Sequence, residues 1–440
     1  MARMSIAYGG IVAFLFRGMN VVVALVTMVL TSNQLGADGR GTFVLGITAV
    51  GIVSALTGGL TASAGYQVSN RRREPGVVLL SGSTLAGALG VLAIVAGFAV
   101  TAALHGEVSK EALAVAFACA AVILNSVIAG VFLGHGALVR YNVALVAPPL
   151  LSLSLIAIDF FLLDQVNPGA ALAAFALGQW LTFPLLLVLG ARTMLRNLKF
   201  DGGLTAALAR FALVAAVSSG VSYLNYRADT FVVEHFEGKS GVAIYSGAVY
   251  IAESVWQFSG SLALATYARI GSLDRQGAAE LTTRVMRHTL VILGAVCAVL
   301  FAAANIIVDT FFNKEFAGMA TALRILLPGT LIYGLAAAFS GFYTYQRGIP
   351  WAAAVVAGVG LAIDLSLDFV LVPKMGVNGA SLASALAYGV AMLGAIAFFL
   401  RDTGTSPATV FRFGRADIDD YRDLFSRLRA VVMKSTPAAQ

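Results

Sequence analysis

Residues 9–30 read GGIVAFLFRGMNVVVALVTMVL, and in these 22 residues the only charge is Arg17 and the only amide is Asn20. A helix crosses a bilayer with roughly 20 mostly apolar residues, so this stretch is long enough to span. It runs past the short apolar core of a cleavable signal peptide, and a retained helix is expected. Outward from it the pattern repeats. Spans are expected at 9–30, 41–62, 77–103, 112–133, 142–163 and 169–189, then at 208–236, 241–267, 288–308, 320–343, 351–372 and 379–400. Of the 440 residues, 59% are hydrophobic and 12% charged, against roughly 25% charged in a soluble domain. A soluble chain must coat its surface with polar groups, and a chain dissolved in lipid need not. The expected fold class is all-α integral membrane, with about twelve transmembrane helices.

The breaks are short and carry turn chemistry, as in Gly36 to Gly41, Asn167-Pro168-Gly169, Glu237-Gly238-Lys239 and Pro373 to Gly379. Lys and Arg favour cytoplasmic loops. With both termini placed in the cytoplasm, 21 of the 29 Lys and Arg fall inside and 5 fall outside, Arg40, Lys110, Lys239, Lys314 and Lys374. The net charge of +7 is then a topology signal and calls for no nucleic acid. The expected location is the plasma membrane, multi-pass, in contact with membrane lipids.

The halves resemble one another. Asp159-Phe160 and Asp368-Phe369 stand 209 residues apart, and Gly169-Ala170 and Gly379-Ala380 stand 210 apart. Gly36 to Gly41 and Gly238 to Gly241 also correspond. Six spans per half keep the copies in one orientation, which is a parallel repeat with a cavity between two bundles. The expected units are a lobe at 1–200, a lobe at 201–400 and a cytoplasmic tail at 401–440. In the tail, Ile418, Tyr421, Phe425, Leu428 and Val432 recur at helical spacing, as in an amphipathic helix on the inner membrane surface.

Ionisable groups inside spans are costly and face a cavity or a partner. Arg17 and Asn20 lie one turn apart in the first span. In the seventh, Tyr223, Arg227, Thr230 and Glu234 share a face with Asp229 beside it, so Arg227 has Glu234 and Asp229 as possible partners. In the eighth, Ser246, Tyr250, Glu253 and Gln257 make a polar stripe. Asp364 and Asp368 share a face of the eleventh and cannot both ionise cheaply in a low dielectric. Arg324 and Asp159 sit near span ends, where a side chain can also snorkel to the interface. Cys119 and Cys297 read as small apolar residues, and the four histidines have no ligand spacing. No phosphate-binding loop, metal site or catalytic constellation is present, and external loops of about ten residues leave little room for one. No enzyme activity and no cofactor are expected.

Three stretches carry a resemblance. They are Leu35-Gly36 through Phe43; Tyr226 through Phe231 with Gly241 through Ala248; and Leu323-Arg324-Ile325-Leu326 through Gln346-Arg347-Gly348 to Leu371 through Ser381. In order and spacing the chain resembles the Wzx-like polysaccharide (oligosaccharidyl-lipid) flippases of the multidrug/oligosaccharidyl-lipid/polysaccharide exporter (MOP) superfamily. The resemblance implies two lobes rocking about a central cavity and a cargo of polyprenyl-pyrophosphate-linked oligosaccharide moved from the inner to the outer leaflet. It implies glycan polymerase or assembly proteins as partners. Arginine binds phosphate oxygens bidentately, so Arg17, Arg227 and Arg324, with Asn20, are the candidates for pyrophosphate and sugar. Asp229, Glu253, Asp364 and Asp368 are the candidates for a coupling proton or sodium ion. A drug or organic-cation exporter of the same superfamily and a non-transporting scaffold for a glycan-assembly complex are the other readings.

Overall fold

The computed structural model describes residues 6–105, 109–349, 351–411 and 422. The expected tail helix through Ile418 and Val432 lies outside the described residues. No strand occurs among them. Ten helical stretches are long and apolar enough to cross a membrane. Two of these, Phe14–Ser69 with 56 residues and Gly202–Ser272 with 71, are too long for one crossing. At 1.5 Å per residue they would reach roughly 80 and 110 Å, against about 30 Å of hydrocarbon.

Both long stretches fold back at a glycine. Gly36 has φ 67° and ψ −176°, and Gly238, 202 residues on, has φ 68° and ψ −168°. Positive φ is open to glycine and strained for other residues. Leu30 and Leu35 before the first turn pack in the same cluster as Phe43 and Ile47 after it, and Val233 and Val242 do the same around the second. Each long stretch therefore crosses twice, and the ten stretches make twelve crossings. The fold is an all-α membrane architecture of two six-helix lobes, and the matched turns are the repeat made visible. One expectation changes here. The first turn is a single residue and no loop, so Arg40 is already helical and only 2% exposed.

The first lobe holds α1 (Ile6–Thr57), α2 (Gly59–Ser69), α3 (Pro75–His105), α4 (Lys110–Gly134), α5 (Leu138–Phe161) and α6 (Pro168–Met194). The second holds α7 (Gly202–Arg227), α8 (Asp229–Ser254), α9 (Trp256–Ser272), α10 (Arg275–Phe311), α11 (Met319–Tyr333), α12 (Ala336–Gly341), α13 (Trp351–Met375) and α14 (Val377–Thr403). A short α15 (Pro407–Phe411) leans on α10. Helix starts follow the sequence. Ser109, Asn167, Asp201 and Asp274 accept from the backbone N–H of Ala112, Ala170, Leu204 and Gly277, which caps α4, α6, α7 and α10. α7 belongs to both lobes. Leu204 and Leu208 pack into the first, and Asn225 donates to the Tyr333 hydroxyl in the second. Large apolar side chains such as Val188 and Val214 are exposed, as suits a molecule whose solvent is lipid.

The lobes meet at the end that carries the two glycine turns. A side chain at Gly41 would put its first carbon 1.9 Å from the Lys239 carbonyl oxygen, so the two turns touch backbone to backbone. Asn33 Nδ2 donates to the Phe311 carbonyl at 2.8 Å, and Asn313 Nδ2 donates to that of Asn33 at 3.0 Å. The Glu315 carboxylate accepts from the Ala37 N–H at 2.7 Å.

Candidate functional site

Three helices of the second lobe tighten side by side. α7 gives way to α8 at Ala228, α8 to α9 at Val255, and α11 to α12 at Gly334 and Leu335. The backbone stays right-handed helical at these points and tightens into i→i−3 hydrogen bonds, as from Val255 to Ala252 and from Leu335 to Ile332. Tyr226, Trp256 and Tyr333 flank these points and stack with Tyr388 of α14. Ring centroids are 5.3 Å apart for Trp256 and Tyr333, 5.6 Å for Tyr226 and Trp256, and 4.9 Å for Tyr333 and Tyr388. Trp256 Nε1 donates to the Thr330 carbonyl at 2.8 Å, which fixes the indole.

Against this wall lies a cavity of about 630 Å³ between the lobes, bounded by α1, α7, α8 and α9. Arg17 and Asn20 line it from the first lobe, and Arg227, Tyr250, Glu253 and Gln257 from the second. Arg227 Nη2 meets Glu253 Oε2 at 2.9 Å. The guanidinium stands 4.8 Å from the centre of the Tyr250 ring, and Tyr388 donates to Glu253 Oε1 at 3.1 Å. Arg17 reaches across from α1 toward Gly260 of α9. Among the described residues it pairs with no acid.

The acids separate into two groups. Glu253 is in the cavity. Asp229, Asp364 and Asp368 are buried inside the second lobe. Tyr245 donates to Asp229 Oδ2 in a short hydrogen bond, and Ser384 sits 2.7 Å from the Tyr245 hydroxyl. The Thr230 N–H donates to Asp229 Oδ1 at 2.7 Å. Asp364 and Asp368, on α13, lie within electrostatic reach of Asp229. Neither oxygen of Asp368 has a hydrogen-bond partner among the described residues, nor has Oδ1 of Asp364. Among those residues no three His, Cys, Asp or Glu converge closely enough to hold a metal ion by themselves.

Two expectations are corrected. Arg227 pairs with Glu253 at 2.9 Å and not with Glu234 or Asp229, because the fold-back at Gly238 brings the second half of α8 alongside it. Arg324 stays away from the cavity. Its Nε donates to the Phe301 carbonyl at 3.1 Å and its Nη1 to Asn305 Oδ1 at 3.0 Å, on the flank between α10 and α11. Arg17, Asn20, Arg227 and Glu253 are brought together. Sequence reading missed Tyr245, Trp256, Tyr333, Ser384 and Tyr388. Ser384 and Tyr388, one turn apart and both buried, were readable as a polar face of the last span.

No protein-family model and no curated protein matches the chain by sequence. Solved structures do match by shape. The lipid II flippase MurJ in an inward closed conformation superposes with a TM-score of 0.74 at 14% identity, over 98% of this chain and 94% of that one. A multidrug resistance MATE family transporter of the MOP superfamily, inward-facing, gives 0.73 at 15% identity, over 90% and 98%. An outward-facing MATE family transporter gives 0.64 at 17% identity, over 90% and 94%. The fold is that of the MOP transporters. At these identities the likeness fixes the architecture alone, and the cavity must be read from its own residues. Its walls are the facing surfaces of the two lobes, and the MOP fold sets Arg17 of one lobe opposite Arg227 of the other.

Proposed function

We propose that the chain is a membrane transporter of the MOP type that flips polyprenyl-pyrophosphate-linked oligosaccharide from the inner to the outer leaflet, for cell-surface polysaccharide. The observation that carries this is the cavity between the lobes, with Arg17 and Arg227 in its walls and Glu253 as their only acid. A dianionic pyrophosphate needs cations in a wall shielded from water, and two guanidinium groups from opposite lobes supply them. The cation excess disfavours an organic-cation cargo. Asn33, Asn313 and Glu315 join the lobes at one end. Lys239 and Lys314 stand at that end, and in this reading the excess of arginine in the opposite loops marks the opposite end as the cytoplasmic one.

The buried acids are the proposed coupling element. Asp229, Asp364 and Asp368 form a polar core in which unpartnered carboxylate oxygens await a proton or a monovalent cation. Rocking of the lobes exposes that core to different surroundings, and the difference in affinity shifts the population. Purified protein in vesicles carrying a fluorescent polyprenyl-pyrophosphate sugar tests the proposal. Leaflet exchange is expected in wild type and is lost in Arg17→Ala, with partial rescue by Arg17→Lys, which restores charge without the fork. Full exchange by Arg17→Ala would remove that residue from the site. Absence of exchange in wild type, with drug-driven uptake in its place, would turn the reading to an exporter.

A further inference from the structure

Tyr226 and Trp256 line two cavities at once. On one side is the cavity of Arg17 and Arg227. On the other is a pocket of about 260 Å³ within the second lobe, bounded by α7, α9, the end of α11, α12 and α13. The pocket carries no formal charge. Its walls are the Tyr226, Trp256 and Tyr333 rings, the hydroxyls of Ser222, Ser259 and Ser340, and small residues of α12 and α13. Aromatic faces with scattered hydroxyl groups and no charge suit a sugar ring, whose C–H face stacks on an aromatic while its rim of hydroxyls takes hydrogen bonds. The wall rings are held in place. Trp256 is tied to Thr330, Tyr333 accepts from Asn225, and Tyr388 beneath them is tied to Glu253.

We propose that this pocket is the subsite for the first sugar of the cargo, the pyranose joined directly to the pyrophosphate. The inference rests on the pyrophosphate reading of Arg17 and Arg227. Arg227 adjoins Tyr226 in sequence and accepts the phosphate on the cavity side of the same wall. The next group along the cargo is therefore within reach of Tyr226 and Trp256. The prenyl chain leaves in the opposite direction, because it must stay in lipid and finds three serine hydroxyls in the pocket. The tightened turns at Ala228, Val255 and Gly334–Leu335 flank the wall.

The test is direct binding to the purified full chain of two probes, a short polyprenyl pyrophosphate and the same molecule carrying one hexose. Ser340→Leu and Ala353→Leu fill the pocket from half-buried positions, and Trp256→Phe keeps a ring while losing the tie to Thr330. Each variant is compared at equal unfolding midpoint. The filled variants are expected to bind the hexose-bearing probe about tenfold more weakly and the bare probe within about twofold of wild type. Trp256→Phe is expected to lose less, in the same direction. Equal losses on both probes, or none on either, overturn the subsite. A wild type that binds neither probe overturns the pyrophosphate reading and the subsite together. A wild type that binds both while the filled variants match it overturns the subsite alone.

Discussion

The two lobes share one fold and fill the same place with opposite chemistry. In the second lobe Tyr245 meets Ser384 and Asp229, with Asp364 and Asp368 on the next helix. The repeat sets Phe43 where Tyr245 stands and Thr27 where Asp229 stands, 202 residues earlier. Phe43 packs with Ile156, Ala174 and Phe175, its ring edge-on to that of Phe175 at 6.3 Å. Thr27 turns its hydroxyl to its own helix, donating to the Val23 carbonyl. At this place the first lobe closes without an acid cluster, and its buried charge is Arg40, whose guanidinium stands 5.6 Å from the centre of the Phe43 ring. Replacing a buried charged cluster by well-packed apolar groups is often neutral or stabilising, so the second lobe's acids are not needed to hold it together. Their retention fits the ion-coupling role proposed for them.

The strongest way to break the contrast is to make the second lobe resemble the first. Asp229→Thr with Tyr245→Phe and Ser384→Ala is expected to fold with an unfolding midpoint at or above that of wild type, and to lose all response of flipping to imposed proton or sodium gradients. A triple variant that still responds would detach the cluster from coupling. Asp364→Asn is expected to uncouple in the same assay while the cargo still binds; a change in expression with normal ion dependence would make it structural.

Single steps sharpen it. Tyr245→Phe leaves Asp229 without its main donor and is expected to cost about 1–3 kcal/mol. Phe43→Tyr, the mirror change, buries a hydroxyl in a cluster whose one polar neighbour is the Arg40 guanidinium, and is expected to cost about 1–3 kcal/mol where that guanidinium does not reach it. Denaturant titration of detergent-purified protein measures both, and a neutral Phe43→Tyr would mean that the first lobe already offers a partner. The smallest contrast lies in the turns. Alanine at Gly238 meets nothing within 4 Å, so only backbone strain is expected, about 1–2 kcal/mol. Alanine at Gly36 also comes within 3.1 Å of the Glu315 carboxylate and is expected to cost more. Equal losses at the two glycines would show that the Glu315 contact bends away freely.

Much of the architecture was legible in sequence because lipid is a demanding solvent. Every crossing leaves an apolar run, and the turns leave glycine, proline or a capping serine, asparagine or aspartate. The candidate site was less legible. Arg17, Asn20, Arg227 and Glu253 stood out because charge in an apolar run is rare. The aromatic wall did not, since Trp256 and Tyr333 look like ordinary membrane residues until three tightened turns gather them. Arg324 stood near a span end in sequence, where snorkelling to the interface was the other reading. Which flank of its helix faces lipid is decided by packing between α10 and α11, and no local pattern records that. The tightened turn at Ala228 was hidden for a related reason, as no glycine or proline marks it.

Gly41 lies where the backbones of the two turns touch, with 1.9 Å between a notional side-chain carbon and the Lys239 oxygen. No rotamer escapes such a clash, since the first carbon is fixed by the backbone. A single methyl at position 41 therefore acts as a wedge, tolerable only where the turns have moved apart. Alanine there is expected to drain the state with this end joined and enrich its opposite, read as new labelling of a cysteine placed at Asn33 by an impermeant reagent from outside. A molecule of 440 residues thus carries a conformational selector one carbon atom in size.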